Sequence, residues 1–144
     1  MDRFRNGMVR TAIYFALVGM FAWGVWALFA DYATRTLAPE VAMAISYTVG
    51  VGVAIAYIAT QAGPVSFSES GVAFAVAGGL FSGIGSISYY VALQRGNTAV
   101  ATTVTALYFV VAAVLGAVFL GESVDIRDVA GVGLAVGAVV LLAT

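Results

Sequence analysis

The chain has 144 residues, 62% of them hydrophobic and 9% charged, with a formal net charge of −1. Soluble domains carry roughly a quarter of their residues as charges, so this sequence lacks the polar skin that a soluble fold of its size needs. It contains neither cysteine nor histidine, which excludes disulfides, thiolate metal sites and imidazole acid–base chemistry, and its charge offers no basic field for nucleic acid.

The charges themselves mark out the apolar segments. A bilayer core takes about 20 residues of helix at 1.5 Å each. The first segment, over about 11–30, lies between Arg10 and Asp31. Arg3, Arg5 and Arg10 would suit the basic flank of a signal peptide. The 20-residue run is too long for a signal core of about 7–15 residues, and Leu28 sits where a small residue is wanted before Ala30. The segment reads as a retained helix, with Gly19, Trp23 and Trp26 along one face.

The second segment, about 41–62, has Pro39 in its first turn, where a missing N–H costs nothing, and closes at Gly63-Pro64. Ser46, Gly50, Ala54, Tyr57 and Gln61 share one of its faces. The third segment, about 70–94, follows Ser66-Phe67-Ser68-Glu69, which reads as a capping box. Gly79 and Gly83 are four apart and suit close helix packing. Gly78, Ser82, Gly85 and Tyr89 advance by 4, 3 and 4 with Ser86 beside them, forming a weakly polar stripe. Serines can satisfy themselves on the i−4 carbonyl, so the stripe fits a pathway wall or a helix contact.

The fourth segment, about 97–120, carries a matching stripe of Thr98, Thr102, Thr105, Phe109, Ala112 and Gly116, with Tyr108 adjacent. Gly96 stops the third helix, and Asn97 or Thr98 caps the fourth. The fifth segment, about 126–143, is the shortest. Asp125 can cap it, Asp128 suits its positive end, and Gly133 and Gly137 are small-residue packing positions.

The fold expected is therefore all-α, an integral membrane bundle of five transmembrane helices in one domain, joined by short connections. The arginines place Arg3, Arg5, Arg10 and Arg127 on the cytoplasmic side against Arg35 and Arg95 on the other. Without the N-terminal tail that bias becomes one against two, which is compatible with one orientation or both. No Asp, Glu, Lys, Arg or His lies inside these spans, the apolar run of the fifth being counted from Val129, after Arg127 and Asp128. That counts against a carboxylate-centred proton exchanger and against an enzyme, since serine without a base is not a nucleophile.

The segment "YYVALQRGNTAVATTVTALYFVVAAVLGAVFLGESVDIRDVAGVGLAVGAVVLL", residues 89–142, resembles the C-terminal part of an EamA-type repeat of the drug/metabolite transporter superfamily. The matching features are Tyr-x-x-Ala-Leu at a helix end, a small-residue turn, an apolar helix ending in Leu-Gly-Glu, and a Gly-rich last helix. "FAWGVWALFADYA" resembles the family's Trp-Gly first helix, and the two matches bracket nearly the whole chain. Residues 36–70 match only in hydropathy.

The resemblance implies a single-repeat member, half of a ten-helix inverted-repeat transporter, with helices one to four lining a cavity and the fifth peripheral. Two copies, arranged as a homodimer and antiparallel in the inverted-repeat plan, would then form a permease. It would export or exchange small organic metabolites by alternating access in the cytoplasmic (inner) membrane. The pathway residues expected are Trp23, Ser82, Ser86, Tyr89, Thr102, Thr105 and Tyr108, with Gly79, Gly83, Gly116, Gly133 and Gly137 in helix packing. The partners expected are the lipid bilayer, a second copy and the solute, with no cofactor, no metal and no nucleic acid. Competing readings are a non-transporting assembly or stabilising subunit and a carrier of amphiphiles. Phe109 stands where the family often has proline after Leu-Tyr, so no proline kink is expected there. Glu122, opposing the dipole at a helix end, is expected to seek Arg127 or a neighbouring helix N-terminus.

Overall fold

The computed structural model describes residues 2–121 and 123–143, with side-chain surroundings for 8–121 and 123–141. The expectation for Glu122 lies outside the described residues. Every regular element among the described residues is helical, without a strand. Helix α1 spans Asp2–Thr34, α2 Pro39–Ala59 and α3 Glu69–Arg95. The fourth span is built from α4 (Thr98–Ala106), α5 (Tyr108–Leu115) and a π-helical turn (Gly116–Leu120), and α6 covers Ile126–Ala143. Four stretches are long and apolar enough to cross a membrane: Met8–Thr34, Pro39–Ala59, Glu69–Arg95 and Thr98–Leu120. Helix α6, with 18 residues, reaches about 27 Å at 1.5 Å per residue. The protein is a multi-pass helical membrane bundle.

The caps show why the helices begin where they do. Pro39 is the first residue of α2. Helix α3 is capped by Ser68, whose Oγ accepts from the Gly71 N–H at 3.1 Å; the cap is thus two residues later than a box opened by Ser66 would place it. Asn97 Oδ1 accepts from the Ala99 N–H at 2.8 Å and opens α4. At α6 the Asp125 carboxylate accepts from the Ile126 N–H, and the Asp125 N–H donates back to Asp128 Oδ2 at 2.8 Å. Two orphan donors are satisfied reciprocally.

The fourth span breaks at Leu107 without a proline. Leu107 N–H donates to Val104 O and Val110 N–H to Leu107 O, so three-residue steps replace the regular ladder at the junction. The break follows Thr102-Thr103-Val104-Thr105, a β-branched run that loses side-chain freedom in a helix. Further on, the Gly121 N–H reaches back five residues to Gly116 O, and Gly121 sits at φ 66°. Only glycine takes that conformation without penalty. Gly121→Val is expected to destabilise the protein by about 1–2 kcal/mol, checked by denaturant unfolding in micelles, although nothing in the chain stands near its added Cβ.

Helix α3 is the central helix, packed against α1, α2 and α4, while α6 packs on α4 alone to any comparable degree. The buried side chains of the core gather at one end. Ala27, Ala30, Ala42, Tyr89, Tyr90, Leu93 and Ala101 form the core there, with Asp31 and Thr34 buried beside them. These positions come from the end of α1, the start of α2, the end of α3 and the start of α4. Toward the opposite end, Ile13, Phe15, Phe21, Val53, Phe74, Val111 and Phe119 are all exposed within the single chain. Apolar side chains on a bundle of membrane-spanning helices meet lipid, or another helix, instead of water.

Candidate functional site

Two helices supply most of the aromatic and hydroxyl groups that meet below the closed end. Trp26 of α1 stacks on Tyr89 of α3, ring centroids 5.3 Å apart and 22° from parallel, and meets Tyr90 edge-on at 5.7 Å. Tyr89 and Tyr90 are themselves edge to face at 6.4 Å. The polar tips of Trp26 and Tyr89 find different neighbours. Trp26 Nε1–H donates to Ser46 Oγ on α2 at 3.0 Å, and the Tyr89 hydroxyl bonds Thr102 Oγ1 on α4 at 2.9 Å. One aromatic cluster thereby joins four helices. Indole and phenol rings suit that role, being rigid, large and polar only at one edge.

A second hydroxyl group lies further along α3, toward the unpacked end. The Tyr47 hydroxyl of α2 bonds Ser82 Oγ at 3.0 Å and also Ser86 Oγ. Tyr47 and Ser82 are exposed, and Ser86 is half-buried. Ser88 instead bonds back to the Ile84 carbonyl at 2.9 Å, the self-satisfied arrangement open to a helical serine.

A third polar group closes the end. Asp31 Oδ1 accepts from Thr98 Oγ1 of α4 at 2.9 Å. Its Oδ2 accepts from Arg35 Nη2 at 2.6 Å and Nε at 3.1 Å. Thr34 Oγ1 donates to the Asp31 carbonyl at 2.9 Å, and Gln94 Nε2 of α3 donates to the Thr34 carbonyl at 3.4 Å. The Arg35 guanidinium lies 4.5 Å from the Tyr32 ring centre, within cation–π range. Asp31 is 9% exposed. Helix α1 continues past it to Thr34, so the carboxylate taken as the end of the first apolar segment lies inside the helix.

Of the residues singled out by the stripes, Ser82 and Ser86 meet on Tyr47, and Tyr89 meets Thr102. Trp23 is 64% exposed and takes no part in the ring contacts that Trp26 joins, and Tyr108 is exposed beyond the Leu107 break. Thr105 opens onto a groove of about 260 Å³ between the end of α3 and α4, lined by Ala92, Gly96, Val100 and Ala101 among others. An added Cβ at Gly83 would touch Met43 Cε of α2 at 3.9 Å. Gly79, Gly133 and Gly137 have no neighbour within 4 Å of such a carbon, while Gly116 is buried at the start of the π-helical turn.

Sequence reasoning passed over Tyr47, Tyr90 and the Asp31–Thr98 contact. Asp31 and Arg35 stand four residues apart, the spacing of a helical ion pair, and that spacing was the available signal. Among the described residues no buried side-chain nitrogen or oxygen lacks a hydrogen-bond partner. A solute entering between these helices would therefore exchange hydrogen bonds with hydroxyl, phenol and indole groups already paired with one another.

The profile of the EamA-like transporter family matches residues 10–144. No curated protein and no solved structure matches the chain.

Proposed function

Since the chain belongs to the EamA-like transporter family, a family of membrane transporters, we propose that it is a permease for small organic solutes in the cytoplasmic membrane. It acts as an exporter or exchanger by alternating access, and its working form is a homodimer of antiparallel copies. The observation that supports this most directly is the one-ended packing. The ends of α1 and α3 and the starts of α2 and α4 carry every buried core residue, while the opposite half of the same helices is left for a second copy and the solute. A single-repeat chain has too few helices to surround a pathway alone.

In this reading Ser82, Ser86 and Tyr47 face the open half, and Trp26, Tyr89 and Thr102 form its floor. Their chemistry suits a solute that is polar or amphipathic and bound by hydrogen bonds and ring faces. A non-transporting subunit is the second reading, favoured by the complete mutual pairing of the buried polar groups.

Reconstitution separates the two. Purified protein in proteoliposomes is expected to cross-link as a dimer and to pass at least one of a panel of neutral, acidic and basic organic solutes above the leak of empty vesicles. Monomer at every concentration, with flux equal to that of empty vesicles, would leave the non-transporting reading.

A further inference from the structure

We propose that the Asp31–Thr98 hydrogen bond is a latch holding the packed end of the bundle shut, with Arg35 as the residue that positions the Asp31 carboxylate. The role of the latch in transport rests on the alternating-access reading; its role in closing the bundle does not.

The division of labour at the carboxylate carries the inference. Both contacts from Arg35 go to Oδ2, and Arg35 lies four residues from Asp31 on the same helix, or just past its end. That ion pair ties nothing to anything else. The bond that crosses between helices leaves from Oδ1 to Thr98 Oγ1, and Thr98 is the first residue of α4. With Oδ2 occupied by the guanidinium, Oδ1 is aimed at α4. The guanidinium also lies over the Tyr32 ring.

The surroundings distinguish a latch from a core. Beneath Asp31 the buried cluster includes Ala27 and Ala30 of α1 and Ala101 of α4, together with the larger Tyr89, Tyr90 and Leu93 of α3. Of the side-chain hydrogen bonds described, the one that crosses from α1 to α4 is this charge-assisted bond, stronger than a neutral one yet single. The link from Gln94 to the Thr34 carbonyl is long, at 3.4 Å, and joins α1 to α3 instead. Helix α1 can therefore leave α4 while staying attached to α3 through the aromatic cluster.

The chain has no cysteine, so Ala27→Cys supplies a lone reporter four residues below Asp31, where the parent alanine is buried. In proteoliposomes its reaction with a membrane-impermeant maleimide, added on the latched side, is expected to be slow. Thr98→Val keeps the shape of the side chain and removes the bond; it is expected to raise the rate about tenfold, from the worth of a hydrogen bond to a charged group. Asp31→Ala is expected to do the same. Asp31→Asn, which keeps an acceptor facing Thr98, is expected to raise it far less; Arg35→Gln, which frees the carboxylate to turn, is expected to fall between Asp31→Asn and Asp31→Ala.

Thermal melting confirms that each variant is folded. Folded Thr98→Val and Asp31→Ala proteins with an unchanged rate overturn the latch. So does an Asp31→Asn protein as open as Asp31→Ala, since the charge and not the crossing bond would then hold the end. If Thr98→Val exposes the reporter while even the unmodified protein moves no solute, the latch stands and the transport reading falls. If the protein transports and the reporter stays protected, the latch alone falls.

Discussion

Tyr90→Ala is expected to be the most damaging single substitution, costing about 3 kcal/mol in reversible unfolding from mixed micelles. Tyr90 is the largest fully buried side chain, 1% exposed, and its ring lies edge to face with both Trp26 and Tyr89. Removing a buried aromatic from a soluble core costs about 3–5 kcal/mol, as lost transfer energy plus the cavity left behind. Within a bilayer the transfer share shrinks, because lipid tails are themselves apolar, and the packing share remains. Tyr90→Phe keeps the ring contacts and is expected to stay within about 1 kcal/mol. A Tyr90→Ala protein that unfolds at the unmodified midpoint would mean that the cluster does not hold the bundle together.

Trp26→Ala is expected to cost nearly as much, about 2–3 kcal/mol, whereas Trp23→Ala is expected to change the stability of the chain by no more than about 0.5 kcal/mol. The two tryptophans are three residues apart on α1. Trp26 loses a stacked partner, an edge-on partner and the Ser46 hydrogen bond. Trp23, 64% exposed, has no such ring contact or hydrogen bond to lose. Measured side by side, unfolding midpoints that move equally would place both rings in one environment and contradict the packing described. A Trp23 variant that unfolds normally but no longer cross-links to a second copy would assign its ring to the dimer contact.

The helices were largely readable because a bilayer imposes length and a charge marks an end. The starts of α3 and α6 fell within one residue of their observed positions. The same rule obscured Asp31: a charged residue ends an apolar run without ending a helix, and α1 continues to Thr34. Its partner Thr98 is 67 residues away, a separation no periodicity reports. Tyr47 was hidden for a related reason. The small and hydroxyl-bearing positions of α2 trace a face through Ser46, and the residue beside it reaches Ser82 and Ser86. Spacing along one helix shows which residues share a face; it does not show which neighbour that face meets. The Leu107 break escaped because the expectation looked for proline, whereas the observed break follows a β-branched run with no proline in it.

That break also determines how the outer part of the fourth span is held. Helix α4 is held by α1, α3 and α6, whereas α5 packs on no other helix to a comparable degree. With the ladder interrupted at Leu107, the span is two rods on a joint instead of one stiff beam. The outer rod, residues 108–120, is thus tied to the rest of the chain mainly through one backbone junction, and the angle it takes against a second copy is set there and not by the packing of the bundle.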